Sequence, residues 1–487
     1  MSLPFFFKNP VSIRNRVFCF ILITILSVRI KKYNMNKEKL VDMTRGPIVP
    51  QIIHFTLPLI VGNFFVLSYN AADSIIVGRF VGANALAALG AASPVMNMLL
   101  FLIIGICLGM SVLMGQYFGE GDIVKLKRVV STSLISGGIF TLIMVIFGFF
   151  SSRVILTLLH TPIEILDDAI TFLRIIFIGF IFSFIYNIYA STLRSMGNSK
   201  ASLYFLIASA VLNIGMDFLF VVVWKKGVAG AAWATVIAEA FAALFCVLYV
   251  RMYIPILRFS RHEFVLDRSL LKIIFSYSSV AAMQQITLHL GKFLIQGAVN
   301  PLGIVSIAAF NAVTRIDDLV MIIQQNIGHG TTGFLAQNKG KGNFNRIRKG
   351  FLTGFKIEVI YTLLISVVVF FFSREIVSLF VGNGNVKVVN EGENYLKVMV
   401  LLYLLPAITN IIQGYFRGLG MMRITLNSTF TQIVGRVIAA YLLAPYFGIT
   451  GIVLACLVGW ICMLIYEYPL FVKSWKQNTE SISNENI

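Results

Sequence analysis

From residue 51 to residue 472 the chain repeats one pattern: an apolar run of roughly twenty residues or more, then a short polar or basic break. At about 1.5 Å per helical residue, each run can cross a hydrocarbon layer about 30 Å thick. None alternates apolar and polar positions as a barrel strand does. In lipid a backbone must satisfy its own hydrogen bonds, so runs of this kind are helices. The pattern predicts spans at approximately 51–78, 86–114, 129–150, 166–190, 201–223, 229–250, 271–297, 304–334, 350–372, 394–415, 424–446 and 450–472.

The same pattern recurs at long range. A shift of about 221 residues lays Gly82 to Leu89 on Gly303 to Phe310. It also lays Gln116, Gly119, Gly121, Lys125, Lys127 and Arg128 on Gln337, Gly340, Gly342, Arg346, Arg348 and Lys349. At a shift of 223, Arg194 and Gly197 meet Arg417 and Gly420; at 221 again, Gly227 and Gly230 meet Gly448 and Gly451. One six-helix unit is written twice. Because six is even, both copies run the same way and are related by an axis along the membrane normal. The expected fold is an all-α polytopic membrane protein of about twelve transmembrane helices in two pseudo-symmetric six-helix lobes. The expected organisation is an N-terminal extension (1–45), a first lobe (46–250), a linker (251–269), a second lobe (270–475) and a tail (476–487).

Composition agrees with lipid as the solvent: 58% of the 487 residues are hydrophobic and 13% charged. The net charge of +19 does not point to a nucleic acid, because the basic residues sit in scattered short loops rather than in one stripe with interleaved aromatics. With the N-terminus inside, the alternate loops and the termini, counted from Met35 onward, hold about 21 Lys and Arg and the opposite loops about 6, the bias of positive-inside insertion. The expected location is a bacterial inner (plasma) membrane with both termini cytoplasmic. The five cysteines lie singly in apolar stretches without accompanying ligands, so neither a metal cluster nor a disulfide is expected. Residues 1–34 hold an apolar run from Val17 to Ile30, short for a span and lacking a cleavage signal. Met35 reads as the more natural start.

Carboxylates in apolar spans are costly and usually face a bundle interior or a water path, so each is a candidate for function. Asp73 lies in the first span, and Asn213 and Asp217 stand four apart, on one face of the fifth. Thr235 follows in the sixth span and Asn187 lies in the fourth. Two carboxylates with amide and hydroxyl oxygens make either a hard-cation site or a pair that shares a proton. A plainer reading puts Asp73 near a helix end, bonded to water. The matching positions of the second lobe are Arg436 and Ala440, so the lobes are chemically unequal. Asp317 and Asp318 stand beside Arg315 and read as a local neutral pair; Glu358, Lys292 and His289 read as polar packing or membrane-edge residues. Pro58, Pro94 and Pro406 fall inside spans, where each frees a carbonyl and bends its helix. The 42 phenylalanines and 17 methionines suit a cavity that re-packs around flat lipophilic molecules, although most must face lipid or other helices.

These segments together resemble the multidrug and toxic compound extrusion (MATE) family, from Gly46 to Trp475. The residues that carry the resemblance are Leu57-Pro58, Tyr69 to Arg79, Gln116 to Asp122, Leu193 to Asn198, Asn213 to Asp217, and Gly227 to Thr235. The resemblance implies a two-lobe antiporter that exports small, often cationic, organic compounds in exchange for H⁺ or Na⁺. In the DinF-like branch the coupling site lies in the first lobe. Its pattern of an acid on the first helix, Asn-x-x-x-Asp on the fifth and Thr on the sixth falls on Asp73, Asn213, Asp217 and Thr235, with Asn187 on the fourth. No metal other than Na⁺ at those four residues is implied, and no cofactor. The family's second arrangement has a Glu on the seventh helix, where this chain has Gln284 and Gln285. Those two residues, with Tyr69 and Asn70, are the candidate substrate-cavity residues. The expected partners are organic drugs or cations and membrane lipid, with neither nucleic acid nor an obligate protein. A lipid-linked saccharide flippase of the same superfamily is the alternative. An enzyme is not expected, since no HExxH, Ser/His/Asp set or nucleotide loop is present.

Overall fold

The computed structural model describes residues 40–260, 262–381 and 385–485, with side-chain surroundings to residue 478. Expectations for residues 1–34 and for Cys19 lie outside the described residues. Fourteen α-helices follow one another, with no strand among the described residues. The first lobe comprises α1 (Ile48–Phe80), α2 (Ala83–Glu120), α3 (Ile123–Leu158), α4 (Ile163–Ser195), α5 (Ser199–Asp217) and α6 (Gly227–Tyr253). A π-helical turn, Phe218–Val223, continues α5. The second lobe comprises α7 (Arg268–Val299), α8 (Ile304–Gly340), α9 (Phe344–Phe371), the short α10 (Ser373–Val381), α11 (Val386–Leu402), α12 (Leu404–Gly418), α13 (Met422–Phe447) and α14 (Ile449–Glu485). Helices α11 and α12 meet at 45° and form one bent span. Each lobe therefore has six crossings.

Among the described residues nine helices are long and apolar enough to cross a membrane by themselves, and the bent pair makes a tenth. The two remaining crossings, α7 and α8, carry polar and charged residues along their length, and α8 hides Asp317, Gln324 and Asn326 inside the protein. A helix of that composition is stable at lipid depth because its neighbours cover it. Pro58 and Pro94 lie within the unbroken helices α1 and α2, whereas Pro406 enters α12 just after the bend at Tyr403.

The internal repeat is written in the backbone. Positive φ angles occur at Gly82 and Gly303 (122° and 94°), Gly121 and Gly342 (83° and 73°), Gly197 and Gly420 (both 81°), and Gly227 and Gly448 (59° and 57°). Only glycine enters this region without a Cβ clash, so the same four inter-helix turns are made twice. The caps repeat as well: Asp122 accepts from the Lys125 amide (2.9 Å) and Asn343 from the Arg346 amide (3.0 Å).

Two apolar cores fill the lobes, one around Phe177, Phe180 and Phe184, the other around Tyr395, Tyr403 and Trp460. A third core crosses between them: Met43, Ile52 and Phe55, at the base of α1, pack with Phe334, Phe351 and Tyr415 of the second lobe. The 251–267 connection docks on α3. There Lys127 Nζ donates to Glu263 (2.7 Å) and to the Arg258 carbonyl (3.1 Å), while Ser131 donates to the Val265 carbonyl (3.0 Å). Glu263 lies outside the spans, and its carboxyl is lowered to about 2 by the Lys127 hydrogen bond and the Ser260 amide.

Some acids find partners other than those expected. Asp318 pairs with Lys292 (2.8 Å) and Asp317 accepts the Tyr403 hydroxyl (2.5 Å), so each is satisfied by another helix rather than by Arg315. His289 stacks on Phe101 with ring centres 4.0 Å apart, which places it at the lobe interface and not at a membrane edge. Glu358 is fully buried.

Candidate functional site

The helical spacing of Asn213 and Asp217 turns both side chains inward, and neither is more than 2% exposed. From α1, Asp73 reaches the same place, its carboxyl within hydrogen-bonding range of the Asp217 carboxyl. Among the described residues, neither oxygen of Asp217 receives an N–H or O–H donor, nor does Oδ1 of Asp73 or Oδ1 of Asn213. Four unsatisfied acceptors thus belong to one small region of the first lobe. Burying such groups unpaired costs several kcal/mol. Two ionised carboxylates at this range also repel, and a proton or a hard cation relieves both penalties at once.

The remaining residues of the expected constellation behave differently from one another. Asn213 Nδ2 makes a long 3.5 Å contact with Thr235 Oγ1, which itself donates to the Ala231 carbonyl (3.2 Å). Thr235 therefore engages the amide nitrogen of Asn213 and leaves its carbonyl oxygen without a partner among the described residues. Asn187 spends its amide on its own helix, donating to the Ser183 carbonyl (2.9 Å). Tyr69 lies beside Asp73, Tyr186 and Glu239, while Asn70 is exposed.

Glu239 is an acid near Tyr69 that the sequence analysis did not single out. It stands one helical turn after Thr235 on α6 and packs against α4, where a Cβ on Gly179 would come 3.1 Å from its Oε2. The signal lay in the spacing of Thr235 and Glu239 and in the glycine that makes room for the carboxyl.

In the second lobe Gln284 is 4% exposed and bonded on all sides: it donates to Gln413 (3.0 Å) and Thr429 (3.0 Å) and accepts from Thr425 (3.4 Å). Gln413 in turn donates to Ser428 (3.2 Å), whose hydroxyl donates to Glu467 (2.6 Å). This polar network, which ends on a Glu467 oxygen without a partner among the described residues, holds Gln284 by its side-chain hydrogen bonds. Gln285 beside it is half-buried.

The lobes close on each other at the end that carries the basic loops. Gln116 Nε2 donates to the Gly418 carbonyl (3.1 Å), and its repeat partner Gln337 donates to the Ser195 carbonyl (2.8 Å). A Cβ on Gly119 would collide with the Gln337 carbonyl, and one on Gly340 with the Gln116 carbonyl. Residues 41–46 lie across this seam. Val41 touches Gly197 of the first lobe, and the Met43 amide donates to Gln337 (2.9 Å). Arg346 binds the carbonyls of Met43 (3.0 Å), Arg45 (3.0 Å) and Gly46 (2.8 Å).

Comparison with known proteins agrees with this geometry. A family model described as MatE matches residues 58–219 and again residues 281–442, once in each lobe. The chain is 28% identical over 391 residues to the "Probable multidrug resistance protein YpnP" of Bacillus subtilis, covering 79% of this chain and 85% of that protein. It is 24% identical to the "Multidrug export protein MepA" of Staphylococcus saprophyticus, covering 88% and 95%. Among solved structures, an outward-facing multidrug resistance MATE family transporter of the MOP superfamily superposes with a TM-score of 0.85 at 21% identity, over 90% of this chain and 98% of that one.

Proposed function

The chain belongs to the MatE family, and from that premise we propose that it is a secondary active multidrug efflux antiporter, exporting small organic compounds in exchange for H⁺ or Na⁺ through the acid pair Asp73 and Asp217. It is a multi-pass membrane protein of a transporter family. The observation that carries the finer reading is the set of four oxygens on Asp73, Asp217 and Asn213 that are buried without a donor, and with no cationic neighbour for the acids, among the described residues. A buried negative site of this kind changes its free energy by several kcal/mol when it gains or loses one positive charge. That differential is what a gradient-driven cycle needs to bias two lobe arrangements.

In this mechanism the loops rich in Lys and Arg face the cytoplasm of a bacterial inner membrane, together with both termini. The arrangement with Gln116 and Gln337 engaged is then closed to the cytoplasm. H⁺ or Na⁺ arriving from outside occupies the Asp73–Asp217 pair, with Thr235 holding Asn213 in place as a further oxygen ligand, and substrate leaves. Discharge of the ion toward the cytoplasm resets the pair for the next substrate. Tyr69 and the exposed Asn70 stand one turn before Asp73 on α1, and Glu239 of α6, near Tyr69, adds an acid suited to cationic compounds.

The test is ethidium efflux from a pump-deficient bacterium expressing the chain, under imposed H⁺ or Na⁺ gradients, with Asp73→Asn and Asp217→Asn for comparison. Efflux that follows one gradient and vanishes in both variants supports the reading and names the ion. Variants that reach the membrane and pump at the parental rate would sink it. A well-expressed parent without efflux directs attention to lipid-linked saccharides as cargo.

A further inference from the structure

We propose that the second lobe carries an ion site of its own, built from the Glu358 carboxylate, the Gln324 side-chain carbonyl and the Thr331 hydroxyl, which takes up a proton or a monovalent hard cation. Helix α9 turns Gly354, Glu358 and Thr362, each one turn apart, toward α8, which presents Gln324 and Thr331, two turns apart. The two ends of this contact are defined. Gln324 Nε2 donates to Thr362 Oγ1 (3.0 Å), and the missing side chain of Gly354 is what admits the Thr331 hydroxyl. Glu358 lies between these two contacts, one turn from each.

Gln324, Thr331 and Glu358 are all fully buried. Glu358 Oε1 and Oε2, Gln324 Oε1 and Thr331 Oγ1 have no hydrogen-bond partner among the described residues. The orientation of the Gln324 amide is set independently, because its nitrogen also donates to the Tyr403 carbonyl (3.3 Å), which can only accept. Its oxygen is therefore an acceptor left over. The titratable neighbour on α9, Tyr361, has its hydroxyl committed to the Val320 carbonyl of α8 (3.1 Å). On the α11–α12 side, Tyr403 donates its hydroxyl to Asp317 (2.5 Å). Neither hydroxyl proton is available to Glu358, and no ion pair reaches it. A buried carboxyl with no donor and no counter-ion must carry its own positive charge, as a proton or a bound cation.

The repeat shows that this polar pocket is an acquisition of one lobe. At the 221-residue shift, Gln324, Thr331 and Glu358 correspond to Ile103, Met110 and Gly137. In the first lobe that place is dry core: a Cβ on Gly137 would come within 2.5 Å of the Phe184 ring, which fills it. Conversely, Asp217 of the first lobe corresponds to the fully buried Ala440 of the second. Each lobe thus buries an unpartnered acid where the other has apolar packing.

The experiment reads binding rather than transport, and uses the purified full chain with the first-lobe pair removed (Asp73→Asn with Asp217→Asn). Sodium binding is followed by calorimetry in choline buffer, and carboxyl protonation by infrared difference spectroscopy on a pH step. The proposal expects, beside the protonation of other buried acids such as Glu239, Asp317 and Glu467, one sodium-binding or carboxyl-protonation event that disappears when the isosteric Glu358→Gln is added. Thr331→Val, which leaves the acid in place, is expected to weaken that event about tenfold, as loss of one buried polar ligand does. It serves as the second reading should Glu358→Gln not yield monodisperse protein. If the protein without the first-lobe pair shows no such event, or keeps it unchanged in Glu358→Gln or Thr331→Val, the proposal is overturned. Sodium heat identifies the cation arm and a carboxyl band without sodium heat the proton arm, and either supports the site. Because no substrate or gradient is involved, a failure of the antiport reading in cells leaves this result intact.

Discussion

Gln337 and Gln116 occupy equivalent positions of the repeat, yet they should not be equally important for closing the basic end. Gln337 satisfies two buried backbone groups of other segments, donating to the Ser195 carbonyl at 2.8 Å and accepting from the Met43 amide at 2.9 Å. Gln116 satisfies one, the partly buried Gly418 carbonyl at 3.1 Å. Replacing Gln337 with Leu leaves both backbone groups without a partner in the closed arrangement, at about 1–3 kcal/mol each. In an arrangement with this end open to water the Ser195 carbonyl is hydrated, whereas the Met43 amide stays docked on the second lobe that bears position 337 and counts equally in both. The buried Ser195 carbonyl alone, at the upper part of that range, about 2–3 kcal/mol, shifts the balance between closed and open on the order of 30- to 150-fold. Gln116→Leu removes about 1 kcal/mol, roughly a fivefold shift. The assay is pulsed electron spin resonance between labels on Val124 and Asn345, an exposed repeat-related pair at the basic end, in a background without Cys19 and Cys462. A longer-distance population should grow in Gln337→Leu well beyond that in Gln116→Leu. Equal shifts in the two variants, or the larger one in Gln116→Leu, would refute the hydrogen-bond accounting behind this order.

Two further outcomes follow from groups outside the spans. Glu263 is held to about 2 by Lys127, below the ordinary carboxyl range, so its contribution to docking the 251–267 connection is full above the ordinary glutamate range and fades as pH falls toward 2. Hydrogen-exchange protection of that connection, corrected for the intrinsic pH dependence of amide exchange, should change little between pH 7 and about pH 5 in the parent and be lower throughout in Glu263→Gln. Arg346→Lys should free residues 41–46, because a single ammonium cannot reproduce the fork that reaches three carbonyls and the Gln51 side chain (2.8 Å). Limited proteolysis at Arg45 is expected to accelerate several-fold, and an unchanged rate would show that the segment is held by its apolar contacts instead.

The spans and the repeat were legible because lipid imposes a length and a periodicity that short polar breaks cannot hide, and because Gly121 and Gly342 stand out at a fixed separation. Asp73 and Asp217 were legible for the same reason, as charges in runs that should have none. Glu239 was hidden because a single acid among alanines reads as a helix-face residue until Gly179 is seen to admit it. Glu358 was underestimated because its neighbours come from α8, 27 to 34 residues away in the chain, and only packing shows that they offer no donor. The local hydrogen bond of Asn187 was not legible, since an amide at lipid depth has its own helix carbonyls within reach and Asn187 Nδ2 uses one. The hydrogen bonds of Gln284, a candidate cavity residue, were not legible because Gln413, Thr425 and Thr429 are supplied by two helices far along the chain.

Helix α1 joins the two lobes at its opposite ends. Its lower end is buried in the second-lobe core through Ile52 and Phe55, its upper part bears Asp73, and Thr56 sits against Gly330 of α8 in between. A rod held in this way is a lever. With its fulcrum at Thr56, the arm to Asp73 is about 25 Å and the arm to the Ile48 end about 12 Å, at 1.5 Å per residue. Displacement is therefore halved and force roughly doubled between the acid pair and the basic end. That gearing suits its load, since the hydrogen bonds and close glycine contacts at the seam yield within a fraction of an ångström but resist strongly until they do.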